Sequence, residues 1–407
     1  MIYRAHTVVT MDGPPIENGA VAVQGGTIQA VGKYDEVSRL FREETTDLGD
    51  RVILPGLINA HCHLDYSMMR HAIGPQKNFA DWIMMINALK RGFDDDDYLE
   101  AIARGFKELK KWGTTTVLNI ETFPELILKM PAPPIRTWWF YEMIDIRNRI
   151  TTDDLVAGAF AFFHQRPEWL GGFGLSPHAP YTASPDLYRL ANECSVMTGM
   201  PLTTHLAESR EEDAMFRHAS GPLYDFLSSL GRNMDDCGKK SSFANWVESN
   251  LSIPGWLLAH LNELGEDDFA LIGKKNLGPL LHIAHCPLSH RYFKHKKFGF
   301  RRLRDLGANI CLGTDSLAST SSLNLFAEMR AVQKNEPWID PEELLKTVTV
   351  NPARALDRDG VLGKIAPGCE ADLISLPFSG KVDDVYDEII SYRKPIDWIM
   401  VDGRINP

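Results

Sequence analysis

Hydrophobic and polar positions change their period twice along this chain. At positions 7–11, 20–23 and 28–31, short β-branched runs are separated by Asp12-Gly13-Pro14-Pro15 and Gly25-Gly26, a spacing that predicts a small antiparallel sheet. The same pattern returns near the far end, at 371–376 and 398–401, the latter followed by Asp402-Gly403. Two strand-rich ends around a long middle predict one discontinuous β-sandwich domain, built from residues 1–54 and 358–407.

In the middle, residues 55–357, strand and helix signals alternate. Over 97–112, Leu99, Ile102, Phe106, Leu109 and Trp112 recur at helical spacing, and Gly113 follows as a C-terminal cap. The acidic run 94–97 sits at that helix's start, where free N–H groups favour carboxylates. Strands are predicted at 52–58, 114–120, 137–143, 172–175, 202–206, 256–261, 280–285 and 308–312, with helical patterns such as 185–197 and 322–333 between or after them. Eight strands with interleaved helices predict an α/β fold, a (β/α)8 TIM-type barrel whose chemistry lies at the C-terminal strand ends. The aromatic run 138–141 is expected to pack the barrel. Residues 232–252, with few periodic apolar positions, are expected to form a surface loop.

Composition narrows the partners. A net charge of −11 argues against nucleic acid or an anionic membrane as the principal partner; a small-molecule substrate is expected. The six cysteines form no C-x-x-C pair, so a reducing, cytoplasmic setting is expected. No export signal and no membrane span are read, and a homo-oligomer, a dimer, is expected.

Candidate chemistry emerges where the strand ends are compared. They carry His61-Cys62-His63, Ser176-Pro177-His178, His205-Leu206-Ala207-Glu208, His260, His285-Cys286-Pro287 and Gly313-Thr314-Asp315-Ser316. On an extended strand, residues two apart face the same way, so His61 and His63 can address one ion. Three imidazoles and a carboxylate, His61, His63, His205 and Asp315, suit one divalent metal, zinc or alternatively ferrous iron. Such an ion lowers the pKa of bound water toward neutrality. Glu208 is placed to accept and then donate a proton, Asp315 to touch both ion and water, and His260 to polarise the developing hydroxyl.

These stretches resemble the amidohydrolase superfamily, in its nucleobase-type aminohydrolase branch. The resemblance rests on Pro-Gly-Leu-Ile-Asn-Ala-His-Cys-His at 55–63, Ser-Pro-His-Ala-Pro-Tyr at 176–181, His-Leu-Ala-Glu at 205–208, His-Cys-Pro at 285–287 and Leu-Gly-Thr-Asp-Ser at 312–316. Asn-Pro-Ala-Arg-Ala-Leu at 351–356 and Gly-Cys-Glu-Ala-Asp-Leu at 368–373 extend it to nearly the whole chain. It implies the barrel, the two-ended β domain, a mononuclear site and the roles just given to Glu208, His260 and Asp315. Relatives with two ions bridge them through a lysine on the fourth strand; here that strand reads Gly171-Gly172-Phe173-Gly174-Leu175, which favours one metal and deamination over lactam opening.

For the substrate, Leu64-Asp65-Tyr66-Ser67, Phe79-Ala80-Asp81-Trp82-Ile83 and the stretch 291–295 are similar to aminodeoxyfutalosine deaminases. The resemblance therefore implies deamination of 6-aminodeoxyfutalosine, a 6-aminopurine nucleoside of menaquinone synthesis. Alternatives are methylthioadenosine/S-adenosylhomocysteine, guanine or cytosine deamination, triazine-type hydrolysis, or a non-catalytic scaffold, which would lack a His, Asp or Glu of the set. His178, Asp81, Trp82 and His290 are the candidate substrate contacts. The basic residues Arg291, Lys294, Lys296, Lys297, Arg301 and Arg302 are expected on a solvated face, with contact to a substrate carboxylate by one of them, or by Arg147 or Arg149, as the sharper reading.

Overall fold

The computed structural model describes residues 1–146, 151–165, 169–249 and 255–405. Arg147 and Arg149, and positions 250–252 of the stretch read as a loop, lie outside them. Successive parallel strands run Leu57–His63, Thr114–Glu121, Arg136–Met143, Gly171–Pro177, Leu202–Leu206, Trp256–His260, His282–His285 and Asn309–Leu312, the last resuming at Asp315–Ser316. The two pieces of this eighth strand close the ring: the first pairs with the seventh strand, the second with the first. At the junction, Gly313 N–H donates to the His285 carbonyl at 2.9 Å, and Thr314 N–H to the His61 carbonyl at 3.1 Å. A Cβ on Gly313 would meet His61 Cβ at 2.7 Å, so this closing point admits only glycine.

The first barrel strand begins later than the apolar run at 52–58 indicates. Arg51–Pro55 instead joins the second sheet, antiparallel to Leu373–Pro377 and parallel to Ile2–Val8. Gly56 makes the change of sheet, and a Cβ there would stand 2.1 Å from Thr115 Oγ1. The reason is environmental: a fully buried strand has no alternation to mark which sheet it belongs to.

Both chain ends build that second domain, an eight-stranded mixed sheet. Its strands alternate as the period of two requires. Ile2, Ala20 and Ala22 pack with Val37 of the helix Tyr34–Leu40, while Tyr3, Val21, Val23 and Met400 pack in another cluster. Arg136, at the base of the third barrel strand, joins the barrel to this sheet through Asp372 (2.8 Å) and Glu370 (3.0 Å).

Helix Asp95–Lys111 starts earlier than its apolar spacing shows, because Asp94 and Asp97 form a reciprocal capping pair at 3.0 and 3.1 Å. The pattern at 322–333 becomes helix Leu325–Asn335, capped by the Asn324 side chain. The stretch expected as a surface loop holds the helix Ser242–Ser249, whose Phe243, Trp246 and Val247 enter the main core. Those three positions have helical spacing over a single turn or two, too short to stand out in the chain. Among the described residues, no helix is long and apolar enough to cross a membrane.

Candidate metal centre and active site

The histidine pair faces inward because the first strand changes parity. Ile58 and Ala60 belong to the inner cluster with Leu118, Phe140, Leu257 and Cys311, contributed by several strands, whereas Leu57 and Cys62 belong to the outer core. A register shift lies between Asn59 and Cys62, so His61 and His63 take over the inward side. Asn59 holds the irregularity: its Nδ2 donates to Thr314 Oγ1 at 2.8 Å, and its Oδ1 accepts from Thr314 N–H at 3.1 Å.

Around this pair the other strand ends converge. His63 Nε2 and His205 Nε2 lie 3.2 Å apart, and His61 Nε2 is 3.9 Å from Asp315 Oδ1. The potential ligand atoms of His61, His63 and Asp315 lie within 4.8 Å of one another, as do those of His61, His205 and His260. A carbonyl only accepts, so the 2.9 Å contact between His205 Nδ1 and the His178 carbonyl puts the proton on Nδ1. His205 Nε2 therefore turns a lone pair toward His63. Among the described residues, buried His61 Nε2 has no hydrogen-bond partner.

Burial, and then His178 nearby, pushes His61 and His205 down to about 3, which leaves both imidazoles neutral and ready to ligate. Asp315 is oriented by hydroxyls: its Oδ2 accepts from Ser289 (2.6 Å) and Ser319 (2.9 Å), and its Oδ1 from Ser316 N–H (2.8 Å). Neutral nitrogens, an anchored carboxylate and an unpaired inward Nε2 fit a divalent cation.

Glu208 faces the same space. Its Oε1 is 3.6 Å from His260 Nε2, and burial, followed by Asp315 and Glu212, holds its carboxyl well above the ordinary range. The turn that presents it is fastened by Glu212, whose carboxylate accepts from Ala207 N–H at 2.9 Å and Glu208 N–H at 2.8 Å. Ala207, His260 and Asp315 have φ of +48°, +79° and +57°, left-handed conformations that cost non-glycine residues energy and cluster here at strand ends. Glu212→Gln would turn an amide donor toward one of those N–H groups. We expect kcat to fall about 10–100-fold with metal content unchanged, read by steady-state kinetics beside metal analysis.

A cavity of ≈ 370 Å³ opens onto this centre. His63, His205, Glu208, His260 and Asp315 line it, together with His178 and Trp82, while His61 lies beneath, buried. Two candidate contacts are elsewhere. Asp81 belongs to the start of helix Phe79–Lys90, where its carboxylate accepts from Asn78 Nδ2 at 3.0 Å. His290 contacts the Lys296 carbonyl at 2.8 Å and lines a separate cavity of ≈ 250 Å³. None of the six basic residues at 291–302 lines the active-site cavity; Lys296, Lys297 and Arg302 pair with Glu263, Glu336 and Glu266. Trp138 and Phe140 pack inside the barrel and Trp139 outside it, as expected of packing residues.

Other cavity residues had weaker signals. Tyr66 stacks on His63 at 5.6 Å. Glu142 continues the inward parity of Trp138 and Phe140 and was legible in that sense. Ser319 carried no signal, because its role depends on meeting Ser289 and Asp315 in space.

Residues 52–405 match the Amidohydrolase family. The chain belongs to that family. A short segment, 19–43, also matches the imidazolonepropionase-like composite domain of bacteria. This amidohydrolase is similar to the 5-methylthioadenosine/S-adenosylhomocysteine deaminase of Syntrophobacter fumaroxidans, at 28% identity over 393 residues, 90% of this chain and 82% of the relative. It is also similar to the aminodeoxyfutalosine deaminase of Deinococcus radiodurans, at 27% identity over 343 residues, covering 81% and 79% of the two chains. Among solved structures, the aminofutalosine deaminase of Helicobacter pylori in complex with methylthio-coformycin superposes with a TM-score of 0.84 at 20% identity, over the whole of both chains. The protein is accordingly a hydrolase acting on C–N bonds, with a site suited to a divalent metal.

Proposed function

We propose that this amidohydrolase deaminates a 6-aminopurine nucleoside, with 6-aminodeoxyfutalosine as the preferred substrate. The carrying observation is Glu208: a buried carboxyl with a raised pKa, 3.6 Å from His260, in the same cavity as the histidine cluster. Loss of ammonia needs a group that takes a proton from water and delivers it to nitrogen, and such a carboxyl suits that shuttle.

In this reading His61, His63, His205 and Asp315 hold one ion, zinc before iron. When bound, it supplies Lewis acidity that makes water a nucleophile near neutral pH. Asp315, held by two serines, orients the attacking water, and Glu208 accepts a proton from it. Oxygen adds to C6 of the purine while Glu208 protonates N1. His260 stabilises the developing hydroxyl. The C6 hydroxyl then gives up its own proton, which passes through Glu208 to the amino group; the C6 carbonyl forms as the C6–N bond breaks, and ammonia leaves. His178 and Trp82, at the cavity wall, contact the nucleoside.

Similarity to the Deinococcus enzyme supports the named substrate. A second reading, methylthioadenosine or S-adenosylhomocysteine, is favoured by the longer match to the Syntrophobacter enzyme. Against it, the third strand offers no free arginine for an amino-acid tail, since Arg136 is buried against Asp372 and Glu370. The test is ammonia release from 6-aminodeoxyfutalosine, methylthioadenosine, S-adenosylhomocysteine, adenosine, guanine and cytosine. We expect kcat/KM for 6-aminodeoxyfutalosine to exceed the others by roughly 10-fold or more. No ammonia from any purine nucleoside would remove the proposal.

A further inference from the structure

Two opposite charges line the active-site cavity without pairing. Lys90, the last residue of helix Phe79–Lys90, and Glu142, near the end of the third strand, both face it. Among the described residues, neither forms an ion pair within 4.0 Å. The Lys90 ammonium donates to Tyr66 Oη at 3.0 Å and lies over the Tyr66 and Phe123 rings at 5.0 and 5.1 Å. These contacts fix its position and leave further N–H donors unspent. The Glu142 carboxylate keeps its acceptor capacity. Nearby, the wall turns apolar with Ile83, Ile86, Ile144 and Leu227.

Half-buried charges of opposite sign that share a cavity gain most by meeting a ligand that both donates and accepts. A vicinal diol does both: each hydroxyl gives a proton to a carboxylate and takes a hydrogen bond from an ammonium. Position selects the diol over a zwitterionic tail. Lys90 touches Tyr66, and Tyr66 stacks on His63, so the ammonium lies two contacts from the metal centre, with Glu142 in the same cavity. That is the reach of a purine and its ribose, short of a chain extended from the 5′ carbon.

We propose that Glu142 and Lys90 form a subsite for the vicinal hydroxyls of the substrate's ribosyl group. The proposal rests on the purine-nucleoside reading above and adds the residues that select a ribosyl substrate. The subsite recognises the sugar, and the chemistry at C6 belongs to Glu208 and the metal ligands.

The experiment compares wild type, Glu142→Gln and Lys90→Met as metal-loaded enzymes, using kcat/KM for adenosine and 2′,3′-dideoxyadenosine. Calorimetric binding of inosine and 2′,3′-dideoxyinosine supplies a readout independent of turnover. Wild type should prefer the diol by about 10–100-fold, and each variant should lose most of that preference by weakening the ribosyl compounds alone. Equal losses on both sugars, with wild type active, would overturn the subsite and leave the deaminase reading intact. A variant effect confined to S-adenosylhomocysteine relative to methylthioadenosine would also overturn it, because the charges would then serve an amino-acid tail. Failure of wild type to release ammonia from any nucleoside would remove the underlying reading, and the subsite with it.

Discussion

Glu208→Gln is expected to lower kcat for ammonia release by about 10²–10⁴-fold, with little change in metal content. The amide keeps the shape and the burial of the carboxyl but cannot take up and return a proton. Backbone support for the turn also survives, since Glu212 and Asn262 hold residue 208 through its main-chain N–H and carbonyl. The loss therefore isolates proton transfer from folding. Stopped-time ammonia assays, run with metal analysis and inosine binding, check it. Near-full activity in this variant would show that another group moves the proton.

Removing the ion should produce the other large effect. His63→Ala takes away the imidazole whose Nε2 stands 3.2 Å from that of His205 and leaves those neutral nitrogens short of one donor. We expect the variant to lose stoichiometric metal on dialysis and at least ~100-fold in activity, more than the effect typical of residues that merely support ligands. Chelation of the wild-type protein should abolish activity reversibly and lower its thermal midpoint. A ligand present at about 1,000 times its Kd stabilises the folded state by about 4 kcal/mol, and that contribution vanishes with the ion. Unchanged metal content in His63→Ala, or an unchanged midpoint after chelation, would mean that the cluster binds no structurally significant ion.

Both predictions concern residues legible from strand ends alone. His61, His63, His205, Glu208, His260 and Asp315 each stand at the C-terminal end of a predicted strand, and the barrel topology brings such ends together. Substrate contacts were less legible. Asp81 and His290 occur in family-like stretches, yet one belongs to a helix start and the other to the helix Pro287–Phe293, facing a different cavity. Side chains on helices and loops depend on a local rotation that a motif does not encode, whereas a strand end inherits its direction from the whole sheet.

Local sequence by itself determined the alternation of strands and helices, the return of strand pattern at the far end, and the kinds of ligand available at each strand end. Periodicity and capping act over a few residues, so they can be read directly. Only the tertiary structure decided that the apolar run before Pro55 serves the outer sheet, that Ser289 and Ser319 converge on Asp315, and that Lys90 and Glu142 line one cavity. It also decided which way His61 and His63 face. A strand keeping one register from Ile58 onward would have sent His61 and His63 to the helix side. The shift that turns them inward is held by Asn59 against Thr314, 255 residues further along, a contact that exists only once the eighth strand has closed the barrel.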